Sequence, residues 1–145
     1  MILDKLLMFS IAQPITVTAV SADVIDLQNA RDLSVGDNPA MKVLCQVGTA
    51  LTGGTSVQVQ VQGSTDNTTF YTMAESIANV TAALTAGAEL CNMHLPGPNA
   101  GQAIPRYLRL NYVVAGTYGA GTVNAGLVLD KQRNIAYPAG LNVTP

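Results

Sequence analysis

The strongest pattern along this chain has a period of two. Val57, Val59 and Val61 alternate with Gln58, Gln60 and Gln62 between Thr55 and Gly63. Successive side chains of a strand point to opposite faces, so the segment predicts a β-strand with its valines inward and its glutamines toward solvent or a partner. Gly53-Gly54 before it and Gly63-Ser64-Thr65-Asp66-Asn67 after it supply turn chemistry.

The same alternation recurs. Val43, Cys45 and Val47 share one face of a strand at 41–48. Leu108, Leu110, Tyr112 and Val114 share one at 106–115, with Arg109 and Asn111 opposite. Val123, Ala125, Leu127 and Leu129 share one at 122–130, and weaker strands are predicted at 14–20, 23–27, 69–74 and 88–95. About eight short strands punctuated by Gly, Pro, Asn and Asp predict an all-β fold, a jelly roll or β-sandwich of antiparallel strands.

Helical patterning is thin. Ile2, Leu3, Leu6 and Leu7 fit one helical side, but the segment is too short to stand alone, so residues 1–13 read as an N-terminal arm with an apolar side. The Ala- and Thr-rich stretch 76–88 reads as a loop, and Gly116 to Gly121 as a glycine-rich hairpin connection between two strands. From 131 to 145 the alternation is lost and Pro138 and Pro145 appear, which predicts an extended C-terminal tail lying over a surface. With 145 residues the chain is expected to form a single domain spanning 1–145.

Composition sharpens this picture. Only 11% of the residues are charged although 48% are hydrophobic, where an ordinary soluble domain carries about 25% charge. The net charge is -2 and the pI is near 5.0, so no global field attracts nucleic acid. Trp is absent and aromatics reach only 5%, leaving few platforms for stacking bases or sugar rings. The apolar run Leu6-Leu7-Met8-Phe9 falls far short of the ~20 residues a spanning helix needs. Asp4 cancels Lys5, so the basic start of a secretory signal is not expected either. A surface so poor in charge is one expected to be covered by a partner.

No arrangement of residues argues for catalysis or for a cofactor. His94 is the only histidine, and with no cluster of further ligands it is expected to be a solvated or hydrogen-bonded side chain. Cys45 and Cys91 alternate with apolar neighbours and are expected inside as small hydrophobes; a disulfide between them requires their strands to be neighbours. Asp23, Asp26, Asp32 and Asp37 lack calcium-loop spacing and read as turn and cap residues. The Gly116–Gly121 glycines lead into a strand, not a helix, which argues against a phosphate loop. Sequons at Asn67, Asn79 and Asn142 are what an Asn- and Thr-rich chain makes by chance.

Three stretches carry a resemblance when taken together. They are Met1-Ile2-Leu3-Asp4-Lys5-Leu6-Leu7-Met8-Phe9-Ser10 with Ala12-Gln13; Val24-Ile25-Asp26-Leu27 through Ala30-Arg31-Asp32 to Val35-Gly36-Asp37; and Arg106-Tyr107-Leu108-Arg109-Leu110-Asn111-Tyr112 through Ala125-Gly126-Leu127-Val128-Leu129-Asp130. In this order and spacing they resemble the small capsid cement (decoration) proteins of tailed bacteriophages, of the Bordetella-phage type.

The resemblance implies a jelly-roll protein, made in the bacterial host cytoplasm, that sits on the outer surface of the virion head. There it would tie neighbouring major capsid subunits together as a homo-oligomer, a dimer first and a trimer next, with no enzyme activity, membrane or nucleic-acid partner. The contact surface is expected to use Leu6, Leu7 and Phe9 of the arm, Arg31, Arg106 and Arg109, and Lys131, Arg133 and Tyr137 of the tail. A carbohydrate-binding β-sandwich of a tail spike or fibre is the competing reading, opposed by the missing Trp.

Charge is also unevenly spread. Residues 43–105 hold no Lys or Arg and carry Asp66, Glu75 and Glu89, whereas 106–145 hold Arg106, Arg109, Lys131 and Arg133 against Asp130. That layout predicts that the basic C-terminal third, Lys131 and Arg133 foremost, faces an acidic surface.

Overall fold

A computed structural model describes residues 4–33 and 41–129. Ten strands lie among them: β1 (Met8–Pro14), β2 (Ala19–Val20), β3 (Ile25–Asp26), β4 (Lys42–Thr52), β5 (Ser56–Ser64), β6 (Tyr71–Glu75), β7 (Asn79–Val80), β8 (Glu89–His94), β9 (Tyr107–Ala115) and β10 (Ala120–Val128). Sheet A runs β1-β10-β4-β8. In sheet B, β9 and β5 are central, β2 and β3 pair with β9, and β6 and β7 pair with β5. Every pairing is antiparallel.

Taking β2 with β3 and β6 with β7 as interrupted single strands leaves eight strand positions, ordered 1-8-3-6 in sheet A and 2-7-4-5 in sheet B. Only β5 and β6 join within a sheet; every other connection between positions crosses to the opposite one. This is the jelly-roll arrangement of two Greek keys, and the all-β expectation holds.

The alternation dictates the core. Val57, Val59 and Val61 of β5, Leu108, Leu110 and Tyr112 of β9, Val43, Cys45 and Val47 of β4, and Val123, Ala125 and Leu127 of β10 meet in one buried cluster between the sheets. At one end of the sandwich Tyr118 is buried and its hydroxyl meets Thr81 Oγ1 at 2.9 Å. A Cβ on Gly54 would lie 2.4 Å from the Tyr118 ring, which is why the turn before β5 carries glycine there.

Several expectations change. Met8–Pro14 is an edge strand paired with β10 and not part of a detached arm, and Phe9 is wholly buried in the core. Within 14–20 Pro14 is the last residue of β1, Ala19–Val20 form β2, and between them Ile15 turns inward to the core. Gly116–Gly121 is not a hairpin, because β9 and β10 belong to different sheets; it arches between them and delivers Tyr118 to the interior. The 76–88 segment is a loop in part only, since it holds β7 and a 3-10 turn at Thr81–Ala83 and buries Leu84.

Cys45 and Cys91 are direct cross-strand partners on β4 and β8, as a bond would need, yet both are free buried thiols. Burial pushes both thiols up, Cys91 to about 12.

Candidate functional site

One shallow recess with an empty volume of about 210 Å³ is lined by Leu27, Leu33, Leu95, Pro98, Pro105 and Leu108, with Arg31 and Asp32 at its edge. Among the described residues there is no group of three or more His, Cys, Asp or Glu able to hold a metal, and no helix is long and apolar enough to cross a membrane.

The strand order decides which surface residues meet. β1 and β4 begin, and β8 and β10 end, at one end of sheet A; β3 and β5 end, and β6 and β9 begin, at one end of sheet B. Leu95 and Leu108 line the same recess, so these two ends coincide. Leu6, Leu7, Arg31 and Arg106 are therefore gathered at one end of the sandwich. Leu6 is 82% exposed, while Leu7 is half-buried against the core. A 3-10 turn, Lys5–Leu7, presents them, capped by Asp4 Oδ1 accepting from the Leu6 N–H at 3.0 Å. Leu129, 71% exposed, leaves β10 at this same end. Phe9, wholly buried, takes no part in the surface. Lys131, Arg133 and Tyr137 lie outside the described residues.

The outer face of sheet B is an amide ladder. Alternation turns Gln58, Gln60 and Gln62 of β5 and Arg109, Asn111 and Val113 of β9 outward, paired as Gln58–Val113, Gln60–Asn111 and Gln62–Arg109. Asn111 Nδ2 donates to Gln60 Oε1 at 2.9 Å, Gln60 Nε2 to Glu75 Oε2 at 3.2 Å, and Gln58 Nε2 to the Ser76 carbonyl at 2.9 Å. Uncharged groups tied to one another in this way can be covered by a partner without stripping water from many ions.

Two arginines, three residues apart, sit at the rim and on that face in different states. Arg106 donates through Nε and Nη2 to the two oxygens of Asp26, both at 2.8 Å, and its guanidinium lies 4.9 Å from the Tyr107 ring centre. The Arg106 guanidinium holds the Asp26 carboxyl below its ordinary range, and the carboxylate in turn raises Arg106. Arg109 is half-buried, lies 3.7 Å over the Phe70 ring and donates from Nε to Gln62 Oε1 at 2.8 Å. Burial lowers its pKa, with no carboxylate among the causes.

Side-chain amides occupy several groups along the sandwich edges. Gln13 reaches from β1 to the free side of β2, donating Nε2 to the Val20 carbonyl at 2.8 Å and accepting the Ala22 N–H at Oε1 at 2.8 Å. Asn79 Nδ2 takes the Leu90 carbonyl of β8 at 2.9 Å. Asn99 Nδ2 donates to the Thr72 and Met73 carbonyls of β6 at 3.4 and 3.2 Å, and Gln102 Nε2 to Thr72 at 3.2 Å. The alternation pattern does not signal these caps, since all four amides lie outside the period-two runs that defined the main strands.

The family model described as Bbp16 matches residues 9–127. No curated protein matches the chain.

Proposed function

The chain belongs to the Bbp16 family, named like a Bordetella phage protein, and from that premise we propose that it is a structural virion protein that cements the head of a tailed phage. In this reading it binds the outer surface of the shell, bridges neighbouring major capsid subunits and stabilises them, acting as a homo-oligomer, a dimer first.

The observation that carries the reading is the outer face of sheet B. Its centre is a ladder of hydrogen-bonded amides, its carboxylates Asp26 and Glu75 are engaged at the margins, and an arginine is stacked on an aromatic ring. Depletion of charge around aromatic and arginine anchors is the composition that separates interface centres from ordinary surface. A jelly roll with such a face can lie on another protein at small desolvation cost.

The test is direct. Purified protein added to expanded, undecorated heads of the phage that encodes it is expected to bind to saturation, and decorated heads to survive higher temperature or chelator than bare ones. Absence of saturable binding refutes the proposal, whereas a specific glycan ligand on an array supports the tail-fibre alternative.

A further inference from the structure

We propose that Arg109 docks a carboxylate of a capsid subunit, and that the outer face of sheet B is the surface laid against the shell. This inference rests on the cement reading above and deepens it.

The contrast between the two arginines carries it. Arg106 and Arg109 belong to the same strand region and bear the same fork of donors. Arg106 is spent: Asp26 takes it bidentately. Arg109 is held as firmly, by Phe70 beneath its plane and by Gln62 at Nε, but both of those partners are neutral. Its two Nη groups have no acceptor among the described residues. A guanidinium already ordered and partly stripped of water loses little further freedom on meeting a carboxylate, and that fork matches a carboxylate's two oxygens.

A second copy of this chain is the weaker source of that group. Face-to-face pairing about a two-fold axis would bring the same surface opposite. The carboxylates carried by the strands of this face are Asp26, taken by Arg106, and Glu75, accepting from Gln60. Sheet A is the weaker candidate, because Lys42, Glu89 and His94 on its strands all have partners already. The acidic group is therefore expected to come from a different protein, the shell subunit.

The test measures binding of wild type, Arg109→Gln, Arg109→Lys and Arg106→Gln to undecorated heads, with a melting curve and light scattering for each variant. Arg109→Gln is expected to bind at least tenfold more weakly and to lose part of the salt dependence. Arg109→Lys, which keeps the charge and loses the fork, is expected to fall between it and wild type. Arg106→Gln is expected to stay within twofold of wild type. A folded Arg109→Gln that binds within twofold of wild type overturns the inference and leaves the cement reading standing. So does a variant that loses self-association while binding heads normally, since that assigns the face to a second copy. Should Arg109→Gln fail to fold, Arg109→Lys decides alone, and wild-type-like binding by it overturns the inference. Failure of the wild type itself to bind heads refutes the cement reading, a result that no variant can mimic.

Discussion

Replacing Ser10 with Ala tests a polar cluster buried in the sandwich. Ser10 and Tyr112 are both 0% exposed. Ser10 Oγ donates to Gln13 Oε1 at 2.6 Å, so the Tyr112 hydroxyl, 2.7 Å away, is the donor to Ser10. Ser10→Ala strands that hydroxyl, at a cost of about 2 kcal/mol, and gives up the bond to Gln13, which adds a few tenths to about 1 kcal/mol. The neighbouring Cys45 sulfur is too weak an acceptor to replace the serine.

Tyr112→Phe removes the donor but leaves Ser10 bonded to Gln13, so it should cost only about 1 kcal/mol. In the double variant no hydroxyl is left stranded, and the expected loss is about 2 kcal/mol, below the sum of the single losses by about 1 kcal/mol or more. Urea denaturation with a common slope measures all four proteins. In a chain of this size the Ser10→Ala loss corresponds to a melting midpoint lower by roughly 10 °C. A Ser10→Ala protein within about 0.5 kcal/mol of wild type, or strict additivity in the double variant, would refute the relay from Tyr112 through Ser10 to Gln13.

Other outcomes follow from the same structure. Cys91 titrates at about 12 when folded and near 9 when unfolded, so above pH 9 the unfolded state binds fewer protons and stability falls as pH rises toward 12. The slope should be about 1.4 kcal/mol per pH unit for each buried thiol, and Cys91→Ala should remove one thiol's share in alkaline urea melts. The same thiols should resist alkylation in the native protein and react once it is unfolded. Paired Asn99→Ala and Gln102→Ala substitutions uncover the β6 carbonyls, and light scattering should then show association beyond the wild type's own oligomer.

The sandwich was legible wherever side chains alternate without interruption. Val57 to Gln62 defines β5, and the run from Leu108 to Val114 defines β9, because a period of two with β-branched or large apolar residues admits no helical reading. Legibility failed where the ladder is irregular. β1 shifts register between Met8 and Ser10 and again before Gln13, and Ala12 has a φ of 47°, so its apolar residues do not alternate and the segment reads as an arm. The β9–β10 connection was misread for another reason: glycine spacing reports a turn but not which sheet the next strand joins.

For the surface, alternation put Arg109 and Asn111 outward correctly. That Arg106 is neutralised and Arg109 is not depends on Asp26, 80 residues away in sequence from Arg106, and on Phe70 lying under Arg109. Contacts of that range are set by topology and leave no local signature.

The amide caps on the edges have a consequence for solution behaviour. Natural sheets commonly guard their edges with lysines, whose repulsion weakens with salt and changes with pH. Gln13, Asn79, Asn99 and Gln102 occupy edge carbonyls and amides by hydrogen bonding, and none of them titrates or is screened by ions. A chain with a pI near 5.0 and so little charge would ordinarily associate as it approaches neutrality. With part of its edges occupied by neutral groups, this one is expected to resist strand-to-strand association at those positions at acid pH and in concentrated salt alike.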